Sequence, residues 1–248
     1  MLRYKQPTKY QKMLKKVSFV ILVAMFLAHY GSSLGQSRPM DTPSVEEAIV
    51  ADQLRSEQCA ETAELSYVIS RFDNVMRKVG EEQGLDWRLM SAIAYSESRF
   101  IENLKSNRGA SGIMQIRPVV ARHFNMPVES INDTETNIRL AGMLLSELDN
   151  MLRLPASTPD ADRLSIILAS YNAGIGHVLD ARRIARHQGE NPNSWVVVSN
   201  YLKLMSDPAY YQMDVVQCGK FSGSGQTLNY VSEVMRKYHQ YCKIATLS

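Results

Sequence analysis

The sequence predicts a mainly α-helical protein with one compact domain of about 180 residues. Apolar residues recur at spacings of three and four through most of the chain, which is the helical period. Alternation with period two, the mark of a half-buried strand, is nearly absent. The 248 residues are 45% hydrophobic and 21% charged, as expected for a globular chain that buries its own core.

The first 35 residues differ from the rest. Six lysines and arginines, with no acidic residue, accompany the apolar run 17–28, and small residues follow at 31–33. A basic segment, an apolar stretch of about 12 residues and a small-residue exit are typical of a secretory signal. The stretch is short for a membrane span. We therefore expect residues 1–35 to be a signal peptide or an N-terminal membrane anchor of an exported protein.

Charge and histidine spacing argue against two classes of partner. Without the leader, the formal net charge changes from +3 to −3, and a mildly acidic protein lacks the basic surface typical of nucleic-acid binding. The five histidines are scattered, and none stands in a His-Glu-x-x-His arrangement. We therefore expect no nucleic-acid partner, no metal and no cofactor.

A linker and two helices are expected before the central helix. Residues 36–62 are polar and contain two prolines, and they are interpreted as a linker that leads into a short helix near 45–59. The main domain is predicted over 63–245. Its first helix is expected at roughly 64–83, where seven apolar residues fall on one stripe. Gly84 can end this helix, because glycine accepts the left-handed conformation of a C′ residue.

The central helix is predicted to follow at once, with Asp86 as its N-cap. Leu89, Ile93 and Glu97 recur at every fourth position, so Glu97 is expected on the inward face near the C-terminal end. Burial disfavours the charged form of a carboxyl group and raises its pKa, as a general acid working near neutral pH requires. The alternative is that Glu97 turns to the rim and pairs with an arginine, Arg88 or Arg99.

A loop of special geometry is predicted after this helix. Residues 109–118 contain Gly109, Gly112 and Pro118, which favour a tight turn over a regular element. Gln115 lies inside an otherwise apolar run. A polar amide there indicates either a functional site or a core glutamine whose hydrogen bonds are satisfied.

Further helices are predicted to complete the domain. Short and long helices are expected at 119–124 and 133–152, and one that begins with Thr158 as N-cap and Pro159 at N1. Others are expected at 177–187 and 227–241, whereas 195–198 could be a strand or a helical turn.

In an oxidising compartment Cys218 and Cys242 could form a disulfide across the last loop and helix, leaving Cys59 as a thiol; the alternative is three unpaired thiols.

Four of these stretches resemble the soluble lytic transglycosylase domain, the goose-lysozyme-like family that cleaves bacterial peptidoglycan. Residues 97–100 resemble its Glu-Ser-x-Phe element, and residues 109–118 resemble its Gly-x-Met-Gln-Ile-x-Pro element. Residues 169–174 resemble its Ala-x-Tyr-Asn-Ala-Gly motif, and residues 229–231 resemble its Tyr-Val element. Residues 191–211 look like the membrane-bound lytic transglycosylase F branch.

The resemblance implies a lysozyme-like helical domain packed around a central catalytic helix, with Glu97 as the catalytic acid. It implies that Ser98 and Gln115 orient the carboxyl group and a substrate acetamido group, and that the Tyr230 hydroxyl points at Glu97. It implies peptidoglycan glycan strands as the substrate and the periplasm or cell envelope as the location. The whole substrate-binding set so implied is Ser98, Met114, Gln115, Tyr171, Asn172, Ala173, Gln226 and Tyr230.

One position departs from the family pattern. Many relatives carry a glutamate four residues before the tyrosine of the Tyr-Val element, and here that residue is Gln226. Glutamine still forms hydrogen bonds, so altered contacts to the substrate are expected rather than lost chemistry. The departure leaves Glu97 as the one strongly placed carboxylate.

Three readings of function stay open at this point. The resemblance implies a lytic transglycosylase, in which Glu97 acts as acid and then as base while the substrate supplies the attacking hydroxyl. A hydrolytic muramidase, in which water attacks, is the second. A non-catalytic protein that binds peptidoglycan is the third, and Gln226 is the residue that supports it. Membrane association through the N-terminal segment is a further expectation, and the sequence names no protein partner.

Overall fold

The computed structural model describes residues 68–244. Within them lie nine α-helices and one short 3-10 helix, and isolated bridges but no extended strand. The α-helices are α1 Asp73–Gln83, α2 Trp87–Ser98, α3 Pro118–His123, α4 Thr134–Leu152, α5 Asp160–Ala173, α6 Ile175–His187, α7 Trp195–Leu204, α8 Pro208–Tyr211 and α9 Ser224–Ile244. The 3-10 helix Val128–Asn132 precedes α4. The prediction of a mainly α-helical domain is confirmed.

Helix α2, which carries Glu97, packs against two other helices. It contacts α1 on one side and the long last helix α9 on another. Asp86 is its N-cap, as predicted, and the Asp86 side chain accepts a hydrogen bond from the Arg88 amide. Leu89, Met90 and Ile93 are buried in the core. Burial of each such side chain stabilises the fold by about 1.5–3 kcal/mol, so α2 is firmly held along its length.

Helix α1 ends at the glycine that the sequence predicted. Gly84 adopts a left-handed conformation with φ 67° and ends α1.

The C-terminal end of α2 has an unusual backbone conformation, because Arg99 and Phe100 both have positive φ, 55° and 64°. Non-glycine residues rarely adopt this conformation. The chain therefore turns sharply just after Glu97 and Ser98.

Helix α4 supplies the other wall of the core. Its N-cap is Asp133, whose side chain accepts a hydrogen bond from the Thr136 amide. The predicted apolar stripe is confirmed, because all of its members are buried: Ile138, Ala141, Leu145, Leu148 and Leu152.

Three element boundaries differ from the predictions. Residues 68–72 are not part of the predicted first helix, which begins at Asp73, because the Asp73 carboxylate accepts hydrogen bonds from the amides at 68–70 and holds them in a turn. Thr158 is not the N-cap of α5, which begins at Asp160 after Pro159. Residues 195–198 are helical and begin α7, so the strand alternative is wrong.

The cysteine pairing is not formed. Cys218 and Cys242 are not joined to each other in the described residues, because they lie against different helices. The Cys218 amide donates to Asp180 of α6 at 2.7 Å, whereas Cys242 lies near Tyr238 of α9 and Arg88 of α2. Cys59 lies outside the described residues.

The predicted leader, the linker and the helix near 45–59 also lie outside the described residues, so they and the domain bounds stay predictions. Between residues 68 and 244, none of the helices combines the length and the apolar character needed to cross a membrane.

Candidate active site

The structure places Glu97 in the last turn of α2, on the face predicted from the sequence. The residue keeps part of its surface accessible to solvent, but its carboxyl group lies among protein atoms. Burial raises the pKa of Glu97 from 4.5 to about 7, and the Tyr230 hydroxyl beside it opposes part of that rise. At pH 7 about half of the molecules then carry the proton, against fewer than about one in a hundred for an unperturbed carboxyl.

The two arginines that could have neutralised Glu97 bind other carboxylates. Arg88 donates to both carboxylate oxygens of Asp86, from Nε to Oδ1 at 2.9 Å and from Nη2 to Oδ2 at 2.7 Å. Arg99 donates to Glu233 of α9 at 2.8 Å. Within residues 68–244 Glu97 forms no ion pair, so the rim-pairing alternative is wrong for this structure.

Two phenols accompany the Glu97 carboxyl group. Tyr171 comes from the last turn of α5, and Tyr230 comes from the second turn of α9. Burial and the charge of Glu97 raise the pKa of both hydroxyls well above 10. Both tyrosines are therefore neutral hydrogen-bond donors at any physiological pH.

The two hydroxyls are used differently. Tyr171 donates to the carbonyl of Met114 at 2.8 Å. The Tyr230 hydroxyl is buried and, among the described residues, has no partner at full hydrogen-bond geometry. It lies close enough to Glu97 to lower the pKa of that carboxyl. A small movement of either side chain would complete the hydrogen bond, so the Tyr230 hydroxyl is available to the acid.

The loop over 109–118 is held in place by Asn137 of α4. The fully buried Asn137 side chain donates to the carbonyls of Ser111 and Ile131 at 2.9 Å and 2.8 Å, and it accepts from the Met114 amide at 2.9 Å. Gly112 has φ +78°, and a Cβ added there would lie 2.5–2.8 Å from the Asn137 side chain. Only glycine fits so close to Asn137 in this backbone conformation.

Three predicted substrate contacts have other roles in the structure. Ser98 is 2% exposed and donates to the carbonyl of Ile113 at 2.8 Å, so it joins the loop to α2. The Met114 side chain is fully buried in the core. The Gln115 amide nitrogen donates to the carbonyls of Leu104 and Gly112, so it stabilises the loop.

The other predicted residues surround the end of α5. Asn172 and Ala173 are half-buried, and the Oδ1 of Asn172 accepts from the Thr227 hydroxyl at 2.9 Å. Gln226 is exposed in the first turn of α9. The site therefore brings Glu97, Tyr171 and Tyr230 together, with Asn172 next to them along α5.

Two residues of the site were not recognised from the sequence. Asn137 precedes Ala141 by four residues and so shares its buried stripe, and a polar residue on such a stripe is the signal that could have drawn attention to it. Thr227 precedes Tyr230 by three residues, which places both on one face of α9. Their partners, however, lie far away in the sequence.

The carboxylates of the described region differ clearly from one another. Glu97 has its pKa raised, whereas hydrogen bonds hold the pKa of Asp86, Asp133 and Glu135 below their ordinary values.

Within residues 68–244, no cluster of three or more His, Cys, Asp or Glu side chains is arranged to hold a metal ion.

Fold and site together define a class: an all-helical domain with one largely buried carboxyl group whose pKa is about 7. Residues 74–194 match the family described as Transglycosylase SLT domain. The matched segment is 121 of the 248 residues, so the chain is similar to this family over just under half of its length.

Several characterised sequences and structures are similar to the chain. Membrane-bound lytic murein transglycosylase F of Shewanella loihica is 36% identical over 166 residues, which are 67% of this chain and 33% of that protein. Its counterpart in Alcanivorax borkumensis is 34% identical over 167 residues, 67% of this chain and 34% of that protein. The chain thus spans about a third of the length of the curated relatives it matches.

Solved structures give a more distant match. An inactive mutant of lytic transglycosylase Slt from Pseudomonas aeruginosa has 20% sequence identity and a TM-score of 0.49, over 70% of this chain and 24% of that one. The 70 kDa soluble lytic transglycosylase of Escherichia coli has 21% identity and a TM-score of 0.45, over 68% of this chain and 24% of that one.

Proposed function

We propose that this protein is an exported peptidoglycan lytic transglycosylase, which cleaves the β-1,4 bond between N-acetylmuramic acid and N-acetylglucosamine. The observation that carries the proposal is the Glu97 carboxyl group, which burial keeps protonated in about half of the molecules at pH 7 and which lies beside two neutral phenols. The match of residues 74–194 to the SLT family and the names of the relatives support this substrate class. The basic and apolar leader supports a location in the cell envelope.

In the first step, protonated Glu97 donates its proton to the glycosidic oxygen as the bond to the anomeric carbon breaks. Positive charge develops at that carbon, and the neighbouring acetamido carbonyl of the substrate shares it. Most glycosidases need a second carboxylate for this purpose. With the acetamido group as internal partner, Glu97 is sufficient.

In the second step, the Glu97 carboxylate removes the proton from the C6 hydroxyl of the muramyl residue. That oxygen bonds to its own anomeric carbon and closes a 1,6-anhydro ring, so Glu97 recovers its proton and no water is consumed. A group that alternates between acid and base functions best with a pKa near the working pH. The Tyr230 hydroxyl would steady the carboxylate between the two steps by donating to it.

Mass spectrometry of purified sacculi treated with the full chain tests the proposal. We expect soluble muropeptides that end in 1,6-anhydro-muramic acid. Muropeptides with reducing ends would show that water attacks and that the protein is a hydrolytic muramidase. Binding to sacculi without release of any fragment would show a non-catalytic binding protein.

A further inference from the structure

Thr227 is a buried hydroxyl that the proposed chemistry does not use. Its side chain is 2% exposed, in the first turn of α9. A threonine in a helix commonly turns its hydroxyl back to the carbonyl four residues earlier. Here the Thr227 hydroxyl instead donates across the helix boundary to Oδ1 of Asn172, at 2.9 Å.

In this structure the bond occupies the oxygen end of the Asn172 amide. A primary amide has an acceptor oxygen at one end and two N–H donors at the other. Because Thr227 occupies the oxygen, the Nδ2 group is the end left for other partners. Within residues 68–244 the structure shows no protein acceptor for it, and Asn172 is half-buried, not sealed in the core.

The position of the pair connects it to the acid. Asn172 directly follows Tyr171, and Thr227 lies one turn before Tyr230 on the same face of α9. Two pairs of side chains therefore connect α5 and α9. One pair is Tyr171 and Tyr230 beside Glu97, and the other is Asn172 and Thr227. The Asn172 amide is therefore attached to the same two helices that carry the tyrosines beside Glu97.

We propose that Thr227 is a positioning residue that holds the Asn172 amide as a hydrogen-bond donor toward a carbonyl oxygen of the substrate, of the kind that an N-acetyl group presents. The proposal rests on the function proposed above and adds the residue that sets the polarity of this contact. Without the Thr227 hydroxyl, the Asn172 amide is free to turn by about 180° and present its oxygen, which repels a carbonyl acceptor.

The test compares three full-length proteins: wild type, Thr227→Val and Thr227→Ser. Valine keeps the shape and removes the hydroxyl, whereas serine restores it. We expect kcat/KM on sacculi to fall about 5- to 10-fold in Thr227→Val, the amount expected for one lost hydrogen bond, and to return to within about twofold of wild type in Thr227→Ser. A fall shared equally by both variants would indicate a merely structural role and overturn the proposal.

Binding of a small probe gives a second readout that does not depend on turnover. Calorimetry would compare a β-1,4-linked hexamer of N-acetylglucosamine with its de-N-acetylated form. We expect wild type and Thr227→Ser to prefer the acetylated hexamer, and Thr227→Val to lose most of that preference. An unchanged preference in Thr227→Val would overturn the proposal, as would the absence of binding in wild type.

The two readouts separate this inference from the proposed function. If wild type binds the acetylated hexamer with the expected dependence on Thr227 but releases nothing from sacculi, the positioning role stands and the catalytic function fails. If wild type cleaves sacculi and Thr227→Val cleaves them equally well, the function stands and the positioning role fails.

Discussion

The variant Glu97→Gln is expected to cleave peptidoglycan about 10²–10⁴-fold more slowly than wild type, because it lacks the one group proposed to donate and accept the proton. Glutamine has nearly the same shape and no charge, so it fits a site in which burial disfavours the charged form of the carboxyl group. Folding and binding to glycan should therefore be retained. The rate of muropeptide release and the co-sedimentation with sacculi measure the two properties separately.

Glu102→Gln is the matched control for this change. Glu102 lies five residues further along, and its carboxylate forms an exposed ion pair with Arg71 at 3.0 Å. Exposed ion pairs contribute little, typically about 0–1 kcal/mol, so this variant should cleave like wild type. Equal rates for wild type and Glu97→Gln would refute the assignment of Glu97 as the acid.

The variant Asn137→Ala is expected to lower the free energy of unfolding by about 3–4 kcal/mol. Alanine removes the partner of two buried backbone groups, the carbonyl of Ile131 and the amide of Met114, and each such group costs about 1–3 kcal/mol. It also removes one of the two donors to the Ser111 carbonyl, which keeps the Ile116 amide at 2.9 Å. Because the Met114 carbonyl also accepts the Tyr171 hydroxyl, the change should loosen the surroundings of Glu97 and reduce activity as well.

Asn150→Ala provides the comparison within the same helix. Asn150 is exposed on α4, and surface substitutions usually change stability by no more than about 0.5 kcal/mol. Urea unfolding of both variants and wild type measures the difference. If Asn137→Ala lost no more stability than Asn150→Ala, the role of Asn137 in holding the loop would be disproved.

The sequence predicted the features that depend on local spacing. The four-residue interval between Leu89, Ile93 and Glu97 is a property of one helix, so the inward position of Glu97 could be read directly. The N-cap at Asp86 and the helix end at Gly84 are also local. These predictions agree with the structure because the packing of α2 between α1 and α9 reinforces the local preferences.

The features that escaped prediction depend on contacts between distant residues. Ser98 and Gln115 were expected to touch the acid or the substrate, but their donors are taken by carbonyls of the loop 104–116. A family motif identifies which residues to examine, but it does not predict which hydrogen-bond partner each side chain has in this structure. Asn172 and Thr227 lie 55 positions apart in the sequence and belong to different helices. The spacing of residues within one helix cannot predict a hydrogen bond between two helices.

The central claim is that the Glu97 carboxyl group is still protonated in about half of the molecules at neutral pH. Its most direct test is a carbon-13 NMR titration of the glutamate carboxyl groups, with the Glu97 signal identified by its absence from Glu97→Gln. The account predicts a midpoint near pH 7 for that signal. A midpoint between about 4 and 5, the ordinary range for glutamate, would contradict it, because a carboxylate that is ionised at neutral pH cannot donate the first proton.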